Sequence, residues 1–200
     1  MTRGRPRTFD KRHALQQALK VFWTQGYEGT SLLDLTEAMH INRPSLYSAF
    51  GNKEALFRQA LDLYADDYFG YVQAALQEPT ARQFVERLLL GHADAQTTPG
   101  CPAGCLTVQG ALATGPEARA ITEELNARRA GSEQLIRQRL ETARQAGDLP
   151  ADVDPADLAR FVATLSQGMA VQAAAGCSRA DLHRVVHLAL RAWPDSMPSA

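Results

Sequence analysis

Residues 26–56 read GYEGTSLLDLTEAMHINRPSLYSAFGNKEAL, and this stretch decides the fold. Ser31 followed three residues on by Asp34 is a capping-box start, and Leu32, Leu35, Ala38 and Met39 recur behind it at helical spacing. The segment Met39, His40, Ile41, Asn42 then makes a turn. Asn42 suits the cap of a second short helix, and Pro44 falls in its first turn, where a missing N–H costs little. Leu46 and Phe50 share the face that turns toward Leu35 and Phe22, which leaves Arg43, Ser45 and Tyr47 on the other side. Two short helices joined by a four-residue turn have helix-turn-helix spacing, with the second helix suited to the DNA major groove.

Each outward-facing residue has a chemistry that fits this placement. Arg43 can donate to guanine O6 and N7 or to a phosphate, Ser45 can reach base or backbone, and Tyr47 offers a hydroxyl or a ring face. Pro44 lies among them in the first turn. The starts of the flanking helices carry Thr30, Ser31 and Lys53 to where phosphates would pass, together with N-terminal N–H groups.

Working outward, Asp10 is a cap for a helix through Ala14, Leu15, Ala18, Leu19, Phe22 and Trp23 that Gly26 stops. Asn52 begins a fourth helix through Leu56, Phe57, Leu61 and Tyr64, reaching Tyr71. Thr80 and Gln83 form another capping box ahead of Phe84, Val85, Leu88 and Leu89. Residues 97–104 hold two prolines and two glycines and form an irregular loop. Helices are expected over 105–113, 116–146 with Gly147 as its stop, 155–175 capped by Asp154, and 179–193 capped by Ser178. No stretch alternates with period two, so the expected fold is all-α with about nine helices.

The residues Gly26-Tyr27, Thr30-Ser31, Leu35, Ala38, Ile41, Ser45-Leu46-Tyr47, Phe50 and Lys53-Glu54-Ala55-Leu56 closely resemble the signature of TetR-family regulators, over about residues 9–58. His40 departs from that signature, which usually has Gly in the turn; a left-handed backbone suits His less well. The resemblance implies a homodimeric, all-helical repressor that binds a palindromic operator in double-stranded DNA. Its C-terminal body would bind a small-molecule effector and dimerise. The implied organisation is a basic arm at 1–8, a helix-turn-helix domain at 9–58, an effector-binding and dimerisation domain at 59–194 and a disordered tail at 195–200.

Charge supports a basic head on an acidic body: nine Lys or Arg face five Asp or Glu through Arg58, and twelve face seventeen beyond it. The arm Arg3-Gly4-Arg5-Pro6-Arg7 resembles an AT-hook core, in which guanidiniums follow the negative potential of a narrow A·T-rich minor groove. A solubilising extension is the other reading of the same residues.

The last two expected helices have wide apolar stripes, and Gly168 allows close approach, which suits either a packed core or an intersubunit four-helix bundle. The family's design implies a pocket in the body lined by some of Tyr64, Tyr68, Phe69, His92, Gln109, Phe161 and Met169. Cys105 follows the Pro/Gly loop at an expected helix start, where N–H groups favour a thiolate. The triplet Gly104-Cys105-Leu106 also resembles the corresponding segment of electrophile- and oxidant-sensing members of the family, so Cys105 is a candidate sensor as well as a structural cysteine.

Other classes fit less well. Cys101, Cys105 and Cys177 are an odd set that argues against a secreted disulfide framework, and the Cys101/Cys105 spacing is not that of a zinc knuckle, so neither metal nor cofactor is expected. No apolar run reaches membrane-spanning length and no apolar region follows the basic N-terminus; the expected location is the cytoplasm, without membrane association. A thiol enzyme would lack a recognisable base and orienter around Cys105. An activator of the same fold, or a regulator without a ligand, remains an alternative to the repressor.

Overall fold

The computed structural model describes residues 9–110 and 115–194, and every regular element among them is helical. The elements are α1 (Lys11–Gly29), α2 (Leu32–Met39), α3 (Arg43–Phe50), α4 (Lys53–Tyr68), α5 (Gly70–Leu76), α6 (Ala81–Gln96), α7 (Leu106–Gln109), α8 (Arg119–Gln145), α9 (Pro155–Ala174) and α10 (Arg179–Arg191). A 3-10 turn, Pro116–Ala118, precedes α8. Arg3, Arg5, Arg7 and the expected disordered tail lie outside the described residues.

The caps explain most boundaries. Asp10, Asn42, Asn52, Thr80 and Asp154 each accept a hydrogen bond from a backbone N–H in the first turn that follows. Ser31 with Asp34, and Ser178 with Asp181, make reciprocal boxes in which side chain and backbone each bond the other. At Thr80 only the hydroxyl half forms, because the Gln83 side chain bonds the Thr80 hydroxyl rather than its backbone.

Four departures from the sequence expectation have local causes. The helix from Asn52 does not reach Tyr71: it breaks at Phe69 (φ −104°, ψ 15°), and α5 leaves as a separate helix beginning at Gly70. This break brings the number of described α-helices to ten. The helix expected over 105–113 is described only as one turn, Leu106–Gln109, and 116–146 opens as a 3-10 turn before α8. Gly26, at φ 72° and ψ 176°, kinks α1 rather than ending it, and a further turn follows to Gly29.

Two cores hold the chain together. The first gathers Phe22, Leu35, Leu46 and Phe57 from α1–α4 and continues without interruption into Tyr64, Cys105, Leu106, Ile121 and Leu125. The second gathers Phe84, Leu89, Leu140, Val162, Leu182 and Val186 from α6, α8, α9 and α10. Because α4 contributes residues along its length to the first core, the N-terminal helices are packed onto α7 and α8 rather than tethered beside them.

Candidate nucleic-acid interface and effector cavity

In α3 the apolar side is buried, with Leu46 and Phe50 at 0% and 3% exposure, while Arg43, Pro44 and Tyr47 are exposed and Ser45 is half-buried. Tyr47 is among the few large apolar residues left in solvent, at 48% exposure. Its ring thus has no role in either core, and the same outward side carries the Arg43 guanidinium.

The turn that orients α3 is made by His40, whose φ of 53° and ψ of 41° place it in the left-handed region. It is the only non-glycine at positive φ among the described residues. Its N–H bonds the Glu37 carbonyl, and Ile41 N–H bonds the Thr36 carbonyl, which closes the end of α2.

The flanking positions divide. Ser31 is exposed at the N-terminus of α2, but its hydroxyl already accepts from Asp34 N. Thr30, expected on the DNA side, is instead buried at 1% exposure, and its hydroxyl donates to the Gly26 carbonyl at 2.6 Å. That bond secures the kink in α1, so the side chain is turned inward. Lys53, at the start of α4, holds its ammonium 4.5 Å from the centroid of the Tyr27 ring. Desolvation there lowers the Lys53 pKa, with Glu28 and Asp34 acting against it. Tyr27 is the positioning partner that sequence spacing alone did not reveal.

In the body, a cavity of about 420 Å³ opens between α4–α5, α6, α7, α8 and α9. Of the residues expected to line a pocket, Phe69 and His92 do so, and the candidate sensor Cys105 joins them. Tyr64 and Met169 are buried in the packed cores, at 2% exposure each. Tyr68 stacks on Tyr64 at the edge of the first core, and Gln109 turns its Oε1 to the Cys105 N–H at 3.1 Å. Phe161 points to solvent, at 44% exposure. None of these five lines the cavity.

Residues without a sequence signal complete the wall, among them Tyr71, Gln96, Thr107 and Arg129. Tyr71 reaches it because Gly91 leaves room: a Cβ there would stand 2.4 Å from the Tyr71 ring. Arg129 donates to the Thr107 carbonyl and, at 2.5 Å, to Asn126 Oδ1. Burial pushes the His92 imidazole down to about 4, against a smaller upward pull from the Leu88 carbonyl, so the ring is neutral at pH 7.

Cys105 sits at the junction of cavity and core, 7% exposed, with its Sγ 3.4 Å from the Tyr64 hydroxyl and 3.1 Å from Thr107 Oγ1. The helix it precedes is a single turn, Leu106–Gln109, and the Cys105 side chain makes no cap hydrogen bond to it. Cys101 pairs in the same way with Tyr68, at 3.4 Å. The three cysteines are free thiols, and among the described residues no group of three His, Cys, Asp or Glu is placed to hold a metal ion. No helix of the described residues is long and apolar enough to cross a membrane.

A capped recognition helix with a polar outer face, on an all-helical body containing a small-molecule-sized cavity, defines a DNA-binding transcription regulator of the helix-turn-helix class. The chain belongs to the TetR family. Residues 14–60 match the family model "Bacterial regulatory proteins, tetR family", and residues 80–189 match "Tetracyclin repressor-like, C-terminal domain". The HTH-type transcriptional repressor ComR of Escherichia coli K12 is 36% identical over 97% of this chain and 93% of its own length. BdcR, another HTH-type transcriptional repressor of that strain, is 33% identical over 59% of this chain and 60% of its own. Among solved structures, a cysteine mutant of the TetR family regulator CifR, complexed with 26-base-pair double-strand operator DNA, is 47% identical with a TM-score of 0.91. That match covers 95% of this chain and 100% of CifR.

Proposed function

We propose that the protein is a homodimeric, cytoplasmic repressor that holds a palindromic operator through two copies of α3 and is released when the cavity is filled or Cys105 is modified. The observation that carries DNA reading is the division of α3 into a buried Leu46/Phe50 side and an exposed Arg43/Tyr47 side. The repressor names of ComR and BdcR and the operator complex of CifR support the sign and the partner. The proposed division is an arm at 1–8 following the minor groove, a reading head at 9–58, a body at 59–194 and a terminal tail at 195–200.

Dimerisation through α9 and α10 has its support on their outer surfaces. On α9 and its C-cap, Phe161, Thr164, Gly168, Val171 and Ala175 alternate three and four residues apart, and all are exposed. On α10, Val185 and Leu188 are 40% and 65% exposed. Apolar stripes on adjacent helices suit a two-fold four-helix contact, and two-fold symmetry then sets the half-site spacing.

Coupling from body to head runs through α4 and α8. Arg58 of α4 pairs with Glu124 of α8 at 2.6 Å, and Asp62 of α4 with Arg128 of α8 at 2.6 Å. The next residue of α8, Arg129, lines the cavity. The Tyr27 N–H also bonds the Gly110 carbonyl at 2.9 Å, so the ring that holds Lys53 is anchored to the end of α7. A ligand that moves α7 or α8 therefore moves the elements that carry Lys53 and α3. The groups bonded to Cys105 Sγ are hydroxyls and not an imidazole base, which favours a sensor over an enzyme nucleophile.

The test is fluorescence anisotropy on operator fragments selected by the purified protein, with and without added effector. Sequence-independent binding at every salt concentration would defeat the reading.

A further inference from the structure

Gln96, in the cavity wall, has a buried side-chain oxygen, Oε1, with no hydrogen-bond partner among the described residues. Gln96 is 3% exposed, and its Nε2 donates to the Ser166 carbonyl at 3.3 Å. Turning the amide over would set two oxygens against each other, so the free atom is the acceptor. A buried acceptor left alone weakens an equilibrium by roughly ten- to a hundredfold. Such an atom in a cavity wall points to something that enters and satisfies it.

His92 and Gln96 are four residues apart on α6, which puts them one turn apart on the same face. The imidazole is neutral and borders the same space. The wall thus presents one unpaired acceptor beside a neutral ring. One hydroxyl group answers that acceptor, because it donates through its hydrogen and brings no charge to desolvate.

The remaining wall is largely apolar, with Phe69, Phe84, Leu88, Val108 and Ile136 facing the space. Its charged residues are Asp66 and Arg129, of opposite sign, and the Arg129 guanidinium is already bonded to Thr107 and Asn126. An anionic oxygen would meet Gln96 Oε1 with no attraction, and a cation would lose its hydration against a largely apolar wall.

We propose that the cavity takes an uncharged, mainly apolar alcohol whose hydroxyl donates to Gln96 Oε1, with its hydrocarbon part against the apolar wall. The assignment rests on the cavity being the effector site, and it names the chemistry of the effector.

The test uses DNA-free protein and isothermal calorimetry with four matched probes: 4-phenyl-1-butanol, its methyl ether, 4-phenylbutyrate and 4-phenylbutylammonium. The alcohol should bind about tenfold or more tightly than the ether, with both ions weaker than the alcohol. In Gln96→Leu the alcohol and the ether should converge to within about twofold. Equal affinity of alcohol and ether for the unaltered protein would overturn the proposal, whether or not the variant folds. So would a carboxylate that binds tenfold more tightly than the alcohol and loses this in Arg129→Gln, or a failure of all four to bind. Operator release by the alcohol is followed separately by anisotropy. Binding with the alcohol preference but without release keeps the ligand assignment and removes the effector reading; release without that preference does the reverse.

Discussion

The Tyr64 hydroxyl donates to Cys105 Sγ at 3.4 Å, joining the far end of α4 to the wall of the cavity. At the other end of the same helix, Lys53 is held over Tyr27 beside the DNA-reading face. A single rigid element therefore connects the thiol to the head. An electrophile that adds to the thiol replaces the S–H by an S–C bond and places a bulky group where the Tyr64 ring now packs.

The first prediction concerns this contact. N-ethylmaleimide adds the thiol across its C=C bond, with the proton ending on the adjacent carbon, and should release the operator from the unaltered protein. Cys105→Ser should remain bound under the same treatment. Tyr64→Phe should lower stability by about 1 kcal/mol, as expected for one buried hydrogen bond, and should shift the reagent concentration needed for release. Anisotropy and chemical denaturation read the two effects; release of Cys105→Ser at the same rate as the parent would remove the thiol from the mechanism.

Operator reading should depend on the exposed side of α3. Arg43→Ala and Tyr47→Ala should each weaken operator binding by about 1–3 kcal/mol while leaving the melting temperature unchanged, because neither side chain contributes to a core. Leu46→Ala, at a fully buried position, should instead cost about 2–5 kcal/mol of stability. Binding titrations beside thermal melts separate the two kinds of loss.

The left-handed turn residue provides a third check. At φ 53°, His40 adopts a conformation that glycine accepts without a Cβ clash, so His40→Gly should raise stability by up to about 1 kcal/mol. A drop in stability on denaturant titration would mean that the imidazole makes a compensating contact.

Acid should destabilise the body through His92. Its folded-state value of about 4 lies below the ordinary 6.5, so the unfolded chain binds the extra proton between these values. Stability falls as pH drops from about 6.5 toward 4, and the contribution is intact above 6.5. Between pH 7 and pH 5 the loss should be about 2 kcal/mol. Denaturation of His92→Gln across that range should show a flatter profile; an identical slope would move the effect elsewhere.

Mutation of the outer stripes gives the last prediction. Phe161→Asp with Leu188→Asp should produce a folded monomer by sedimentation, because both side chains are exposed in the single chain. The monomer should also lose most of its operator affinity.

The helix-turn-helix and most helix ends were legible in the residues alone. Their signals are local: a capping side chain reaches a backbone N–H two or three residues on, as at Ser31, Asn42, Asn52 and Ser178, and helical periodicity marks which side is buried. It also placed Arg43 and Tyr47 outward, since Leu46 and Phe50 leave them no other side. The lining of the cavity was not legible there, because it depends on how helices far apart in the chain cross. Gln96 and Arg129 face the same space from α6 and α8 although thirty-three positions separate them, and Tyr71 enters because Gly91 has no side chain to block it. The inward turn of Thr30 and the break at Phe69 belong to this second kind: a kink at Gly26 uses the one hydroxyl, and α5 departs to pack on α6, neither of which is written in the spacing of nearby residues.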